Sequence, residues 1–370
     1  MSNTREHISE IHMLRAIGCL FVVAVHVSGS FYYAHGEKFN EITLFINQIS
    51  RFGTSMFALI SGFLLFYQTR FKGFNLNRFV KSRFTKIGLP FLFWSVFYSL
   101  FTYFVLGVNP LVSGEMQFLT NFIFGNAYYH LYFMSIVFQF YLLFPLLQVF
   151  KSKMIWPVLL VCSVFINYYF VKSFNPGLFE GILGNILNQR AFLPSWIFYF
   201  IFGGFLAYFW EPLYAFSKKY KYLLGIAVLI ITAVAVREYK TVGSTPSNRV
   251  TNMINIPIIT LFVIGIGAQI QNVKWLNSFF TRIGTLSMAI YLVHPFVLYS
   301  FIQIAPDFVW KTSLFPFVFG AILLGSIAIV KVMQLLPLNH YILTVPGAKK
   351  QQMNHLPGKP ATMRINSNLQ

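Results

Sequence analysis

Runs of about 20 apolar residues recur along nearly the whole 370-residue chain. A bilayer has a hydrocarbon core about 30 Å thick, which an α-helix of about 20 apolar residues can cross. The chain is 56% hydrophobic and only 10% charged, which excludes a soluble globular domain, where about a quarter of the residues carry charge. The sequence therefore predicts an all-α polytopic membrane protein of about ten transmembrane helices, near residues 11–33, 43–67, 85–107, 131–150, 154–172, 195–213, 221–236, 252–270, 284–304 and 313–335.

The net charge of +19 indicates membrane topology rather than a nucleic-acid partner. Lys and Arg collect in the cytoplasmic loops of membrane proteins. If the N-terminus lies inside, the inner segments hold 19 of the 28 basic residues and the outer loops hold 7. This distribution predicts that both termini are cytoplasmic, in a multi-pass protein of a bacterial plasma membrane whose basic inner loops lie beside anionic membrane lipids.

The chain reads as one membrane domain, residues 1–348, followed by a polar tail, residues 349–370. The tail lacks hydrophobic periodicity, and we expect it to be disordered. The longest outer loops, near 108–130, 173–194 and 237–251, contain Asn, Gly, Ser and Tyr. They are either plain connectors or a recognition surface.

Two ionisable residues, Arg15 and His26, lie within the first apolar run. They are eleven residues apart, about three helical turns, so both side chains point the same way and lie about 16 Å apart along the axis. Ionisable residues inside a membrane usually face protein or a water-filled cavity. The pair therefore indicates a polar passage into the bilayer.

Each of these two residues has a functional and a structural interpretation. A neutral His26 imidazole can remove a proton from a hydroxyl as a general base, or it can simply hydrogen-bond a neighbouring helix. The Arg15 guanidinium can hold a phosphate or polarise a carbonyl oxygen, or it can extend to the cytoplasmic headgroups. Because intramembrane ionisable residues are functional by default, we favour function for His26.

The second inner segment is the most basic part of the chain. Arg78, Lys81, Arg83 and Lys86 follow one another just before an apolar run. Such a cluster can hold a polyphosphate ligand, or it can be a basic loop beside anionic lipid. The sequence alone does not separate these two interpretations.

The remaining candidates are weaker. Ser61, His130 and His294 lie in or at the edge of apolar runs, where helix packing and hydrogen bonds to helix ends are common roles. The two cysteines, Cys19 and Cys162, predict neither a disulfide nor a metal site. No acidic residue lies in the middle of a predicted span, although proton-coupled transporters usually need one.

In their order along the chain, several segments resemble the integral membrane acyltransferases of the acyltransferase 3 family. The segments are LRAIGCLFVVAVH, FGTSMFALISGFLLF, RFVKSRFTKIGLPFLFW, HLYF, SWIFYFIFGGFLAYF and YLVHP. Within that family, the chain looks most like the subgroup that modifies secreted polysaccharides. It departs from the family at Tyr132, where a Trp is frequent.

The resemblance implies transfer of an acyl group from cytoplasmic acyl-CoA, used as a substrate, to a hydroxyl at the outer side. The acceptor would be a surface glycan or a lipid-linked sugar, and no bound cofactor is expected. Carried over by motif, His26 is the catalytic base, Arg15 is its partner, and residues 78–86 meet the phosphates of CoA. The rival hypothesis is an exporter of polysaccharide or of lipid-linked sugar, which would suit ten helices and the 19% aromatic content.

Overall fold

The computed structural model describes residues 9–345. In this part of the chain all regular structure is helical, and no strand is present. The α-helices are α1 Ser9–Ala34, α2 Glu41–Ser50, α3 Phe52–Lys72, α4 Leu76–Arg83, α5 Leu89–Phe104, α6 Glu115–Ile123, α7 Tyr132–Leu147, α8 Trp156–Tyr168, α9 Gly181–Leu187, α10 Ile197–Tyr208, α11 Trp210–Lys219, α12 Lys221–Val242, α13 Asn252–Asn272, α14 Lys274–Ile304, α15 Phe315–Met333 and α16 Asn339–Ile342.

The helices confirm the all-α polytopic fold. Within the described residues, eight helical stretches are long and apolar enough to cross a membrane. A ninth is the bent pair α10–α11, and the shorter apolar helix α7 corresponds to the fourth predicted run. Each of the ten runs thus contains a helix. The cytoplasmic placement of both termini stays a prediction, and the expected tail 349–370 lies outside the described residues, as does the end of the proposed membrane domain at residue 348.

Three predicted runs differ from the helices observed. The second is broken at Arg51, which ends α2 and begins α3. The sixth bends by 91° between α10 and α11, so residues 195–213 are not one straight span. There, Arg70 Nη1 donates to the carbonyl of Ala207 at 2.9 Å and Arg70 Nη2 pairs with Glu211 at 2.9 Å, satisfying a carbonyl that the bend frees. The ninth helix begins ten residues early, at Lys274.

Glycines allow the central helices to approach closely. A Cβ atom on Gly62 of α3 would lie 2.2 Å from the carbonyl oxygen of Phe200 in α10, and one on Gly284 of α14 would lie 2.2 Å from that of His12 in α1. Small residues at helix crossings are the usual basis of packing within a membrane. The close contact between α1 and α14 brings the first and ninth predicted spans together, and it positions the candidate site.

Candidate active site

Two polar contacts join α1 to α14 at different depths. Near the start of α1, Arg15 Nε donates to Ser287 Oγ at 3.2 Å, and that hydroxyl donates to the carbonyl of Gly284 at 2.9 Å. Further along, the rings of His26 and His294 stack with centroids 5.2 Å apart. Ser287 and His294 are two turns apart and therefore share a face of α14. Arg15 and His26 on one face of α1 thus lie opposite Ser287 and His294 on one face of α14.

Three histidines from distant parts of the chain meet at this level. The ring centroid of His294 lies 5.2 Å from that of His26 and 5.8 Å from that of His130. His130 and His294 are buried, with exposed fractions of 1% and 0%, whereas His26 is only partly buried. Tyr129 lies beside His26 at 4.7 Å between centroids. Of the three imidazoles, His26 is therefore the one that a substrate can best reach.

The hydrogen bonding of His294 fixes its tautomer. Its Nδ1 lies 3.1 Å from the carbonyl oxygen of Ile290. A carbonyl oxygen accepts only, so Nδ1 carries the proton, and Nε2 of the neutral ring is an acceptor. That Nε2 is buried and has no hydrogen-bond partner among residues 9–345. An unmet buried acceptor beside His26 is the kind of group that a donor on a bound substrate satisfies.

Two tyrosines fix the segment that carries His130. The Tyr98 hydroxyl donates to the carbonyl of Leu292 at 2.8 Å, and the Tyr291 hydroxyl donates to the carbonyl of His130. The ring of His130 also lies 5.0 Å from that of Tyr98 and 5.2 Å from that of Tyr291. These contacts tie the start of α7 to α5 and α14, so His130 is held in place from two sides.

Two arginines that the sequence had not singled out contact residues that border the candidate site. Arg51 Nε donates to Asn47 Oδ1 at 3.2 Å, and Asn47 donates to the carbonyl of Val25, next to His26 on α1. Arg190 stacks on Tyr132, with its guanidinium carbon 3.9 Å from the ring centroid. From the sequence, Arg190 counts only as an outer-loop cation, and Arg51 lies at or within a helix with no role assigned. The sequence feature that could have identified Arg51 is its position immediately before FGTSMFALISGFLLF, one of the segments that carry the family resemblance.

A buried polar network supports this side of the site. Asn47 Nδ2 donates to the carbonyl of Val25 and to Ser28 Oγ, both at 3.0 Å, while Asn47 Oδ1 accepts from Arg51 Nε at 3.2 Å. The side chain of the neighbouring Gln48 accepts from the backbone N–H of Thr245 at 3.1 Å. The network therefore ties the loop after α12 and the end of α2 to the turn of α1 that carries His26.

The basic cluster predicted for the donor lies on α4 and on the π-helical segment Phe84–Gly88 that follows it. Arg78, Lys81 and Lys86 are exposed. Arg83 is partly buried, since its guanidinium carbon lies 5.6 Å from the ring centroid of Tyr141 and its Nη2 contacts Gln68 at 3.5 Å. The structure thus leaves three of the four predicted cations at the surface and packs the fourth against α3 and α7.

Ser61 lies apart from the histidines. Its hydroxyl donates to the carbonyl of Phe57 at 2.8 Å within α3, and its neighbour Gly62 packs on α10. Both contacts are of the kind that a packing role predicts. Among residues 9–345, no group of three or more His, Cys, Asp or Glu side chains has the geometry to hold a metal ion.

Comparisons with known proteins cover most of the chain. A family model described as "Acyltransferase domain" matches residues 8–331. A probable poly-beta-1,6-N-acetyl-D-glucosamine export protein of Staphylococcus aureus (strain MRSA252) is 25% identical over 83% of this chain and 87% of its own length. A protein of Staphylococcus epidermidis with the same name is 26% identical over 85% of this chain and 88% of its own. No solved structure matches the chain.

Proposed function

The chain belongs to the acyltransferase 3 family and is a multi-pass protein of the cell membrane, and from that premise we propose that it transfers an acyl group from cytoplasmic acyl-CoA to a hydroxyl of an extracytoplasmic glycan or other surface acceptor. One observation carries the proposal. A partly accessible imidazole, His26, lies in a membrane helix with its ring centroid 5.2 Å from that of His294, whose Nε2 is a buried acceptor that no described residue satisfies.

His26 supplies the base for this reaction. The neutral imidazole takes the proton of the acceptor hydroxyl, and the oxygen attacks the thioester carbonyl carbon. The tetrahedral intermediate then collapses, the carbon–sulfur bond breaks, and the CoA thiolate takes the proton from the imidazolium. The result is an ester and free CoA, with His26 neutral again. His294 Nε2 accepts a hydrogen bond from a second donor on the substrate and so orients it.

The donor approaches from the basic cluster. Arg78, Lys81, Arg83 and Lys86 bind the phosphates of CoA at the inner surface, where positive charge is expected to gather. The pantetheine arm extends along the α1–α14 face past Arg15. The hydrogen bond from Arg15 Nε to Ser287 at 3.2 Å uses one of five N–H donors, so the other donors are available to a phosphate or a carbonyl oxygen.

A second candidate function is export of a polysaccharide. The relatives from both Staphylococcus species carry the name of a probable poly-beta-1,6-N-acetyl-D-glucosamine export protein. Applied to this chain, that name suggests movement of an amino-sugar polymer across the membrane without acyl chemistry. The 19% aromatic content would suit either function, because aromatic rings stack on sugars.

Membrane vesicles separate the two functions. Inside-out vesicles containing the protein receive acyl-CoA labelled on the acyl group, with a glycan acceptor enclosed. Appearance of label on the enclosed glycan, absent with the His26→Ala variant, supports acyl transfer. Movement of preformed glycan across the vesicle membrane with no label transferred, and unchanged by His26→Ala, supports export and contradicts the enzyme proposal.

A further inference from the structure

The loop between α6 and α7 places an exposed aromatic ring beside His26. We propose that this ring, Tyr129, is a platform against which one sugar ring of the acceptor glycan packs while His26 takes the proton of a hydroxyl on that glycan. The inference rests on the proposed function, because it places the acceptor at His26. It adds the chemical group that binds there, a pyranose with an apolar C–H face, and the residue that holds it.

Tyr129 contacts the candidate site and still leaves part of its ring open. Its centroid lies 4.7 Å from that of His26 and 5.7 Å from that of His130. Tyr129 is 44% exposed, whereas His130 and Leu131, which follow it, are 1% and 0% exposed. An open aromatic ring beside a partly accessible imidazole leaves apolar surface that a bound ligand can cover.

Two further tyrosines hold the ring of Tyr129 in place. Tyr128 packs on it with centroids 4.6 Å apart, and Tyr98 stacks on Tyr128 at 4.5 Å with the two planes 12° from parallel. Tyr98 is fully buried, and its hydroxyl donates to the carbonyl of Leu292 in α14 at 2.8 Å. The exposed ring is therefore supported by an anchored one, so that a ligand binding to it has little side-chain entropy to overcome.

The backbone of this loop is also constrained. Gly125 has a positive φ of 73°, and a Cβ atom there would lie 2.6 Å from the carbonyl oxygen of Leu131. The N–H of Leu131 donates to the carbonyl of Tyr128 at 3.0 Å. Glycine permits both the left-handed conformation and the close approach. The loop thus folds tightly against the start of α7, which fixes the position of Tyr129 relative to His26.

A polar neighbour completes the match to a sugar. The centroid of His294 lies 5.2 Å from that of His26, and its buried Nε2 has no hydrogen-bond partner among residues 9–345. A pyranose with axial C–H bonds has an apolar face and carries hydroxyl or amide groups around its rim. The negative face of an aromatic ring attracts such C–H hydrogens. With the sugar on Tyr129, one rim hydroxyl gives its proton to His26 and a second rim group donates to His294 Nε2.

Tyrosines also occur at membrane–water interfaces without binding any sugar, because the ring is apolar and the hydroxyl faces water. The platform requires the ring of Tyr129 and not its hydroxyl. An interfacial role requires neither for transfer. A catalytic role of the hydroxyl would require the oxygen. Substitutions that remove the hydroxyl or the whole ring therefore give a different result for each of the three roles.

Three variants make this comparison. Tyr129→Phe keeps the ring, Tyr129→Ala removes it, and Tyr103→Ala removes a tyrosine of α5 that is 48% exposed and contacts the ring of Phe104 beside it. Transfer to a neutral N-acetylglucosamine oligomer is measured at varied oligomer and at varied acyl-CoA. Because the ring both binds and orients the sugar, we expect Tyr129→Ala to lower kcat/KM for the oligomer about 10- to 30-fold. Its KM for acyl-CoA should not change, which also shows that the variant is folded.

Tyr129→Phe and Tyr103→Ala should keep the wild-type kcat/KM for the oligomer. An unchanged value in Tyr129→Ala would overturn the platform and leave Tyr129 as an interfacial residue. An equal loss in Tyr129→Phe would also overturn it and assign the effect to the hydroxyl.

Saturation-transfer NMR tests sugar binding in the absence of any acyl donor. The probe is the methyl β-glycoside of N-acetylglucosamine, added to the purified protein, and the control ligand is sorbitol, which has hydroxyls but no ring. The ring C–H protons of the sugar should receive saturation from the wild type and from Tyr129→Phe, and much less from Tyr129→Ala. Sorbitol should receive little from any of the three proteins.

This measurement separates the platform from the proposed function. Loss of saturation in Tyr129→Ala, in a protein that transfers no acyl group to any acceptor, would support the platform and contradict acyl transfer. Equal saturation from the wild type and from Tyr129→Ala would contradict the platform even where acyl transfer is observed.

Discussion

Around His26 the neighbouring polar side chains are mostly buried and are fixed by hydrogen bonds or ring contacts, whereas three of the four cations of residues 78–86 are exposed. His294, Asn47 and Tyr98 each make a directed hydrogen bond to another element or to their own helix. Arg78, Lys81 and Lys86 carry exposed charge. The first region holds its side chains in fixed positions, as catalysis requires of reacting groups before the substrate arrives. The second presents exposed positive charge, which attracts a polyanion over a long distance.

This contrast gives the two regions different expected kinetics. A residue that contacts the substrate only in the transition state affects kcat. A residue that binds the ground state and the transition state equally affects KM alone. Substitutions near His26 should therefore lower kcat, and substitutions in residues 78–86 should raise KM. The following predictions test that division, beginning with the largest expected effect.

Replacing His26 should abolish transfer. General base catalysis contributes about 10²- to 10⁴-fold, so we expect His26→Ala to lose at least that factor in kcat while the protein stays inserted at normal abundance. The measurement is acyl transfer in membranes adjusted to equal protein, with His35→Ala as control, because His35 directly follows α1 and its Nδ1 bonds the nearby carbonyl of Phe31. An active His26→Ala protein would contradict the mechanism.

Substitutions of Arg15 test whether its contact with Ser287 belongs to the same catalytic unit as His26. Arg15→Ala should lower kcat strongly, and the double variant with His26→Ala should be scarcely worse than His26→Ala alone, because residues that act together are non-additive. Arg15→Lys retains part of the activity if charge alone is needed, and fails if the planar fork is needed.

Ser287→Ala provides the matched comparison for Arg15. It removes the acceptor of the Arg15 Nε hydrogen bond, whereas Ser326→Ala removes a buried hydroxyl of α15 that bonds only within its own helix. We expect Ser287→Ala to lower kcat less than Arg15→Ala does, and Ser326→Ala to leave it unchanged. Equal effects of the two serine variants would show that loss of buried hydrogen bonding, rather than the position of Arg15, lowers activity.

Neutralising Lys81, Arg83 and Lys86 together should raise KM for acyl-CoA and leave kcat at saturation nearly unchanged. The matched control replaces Lys218, Lys219 and Lys221, a second basic group at the end of α11 and the start of α12. Both triple variants to Gln remove three positive charges, so a difference in their KM for acyl-CoA shows that the location of those charges matters. An unchanged KM in the first variant would place the donor site elsewhere.

The individual members of the donor cluster should differ. Arg83 packs against Tyr141 and contacts Gln68, so Arg83→Gln should also lower stability, whereas Lys81 is exposed and Lys81→Gln should not. Raising the ionic strength should weaken acyl-CoA binding in the wild type more than in the triple variant, because salt screens exposed charges.

Much of the fold could be predicted from the sequence because apolar length reports membrane crossing directly. All ten apolar runs contain helices. The bend at Phe209 could not be predicted, since it depends on contacts with a distant residue. At the bend, Arg70 of α3 bonds Ala207 and Glu211, and no local pattern around 209 reveals that partner.

The candidate site was only partly predictable for the same reason. Arg15 and His26 share one helix, so helical periodicity alone aligned them. His130 and His294 were weak candidates because their proximity to His26 depends on the packing of α1, α7 and α14, which a single sequence does not contain. Arg190 was counted only as an outer-loop cation, because its contact with Tyr132 depends on the packing of residues far apart in the sequence.

The smallest expected effect is that of Ser61→Ala. The Ser61 hydroxyl bonds the carbonyl of Phe57 in its own helix, and that carbonyl already belongs to the helical ladder, so its loss should cost about 1 kcal/mol of stability or less. Transfer kinetics should stay at wild-type values. Gly62→Ala should behave differently, because its Cβ atom would lie 2.2 Å from the Phe200 carbonyl oxygen and force α3 and α10 apart, lowering the amount of folded protein. A Ser61→Ala protein with normal abundance but strongly reduced kcat would move the reacting groups toward α3 and contradict the packing interpretation.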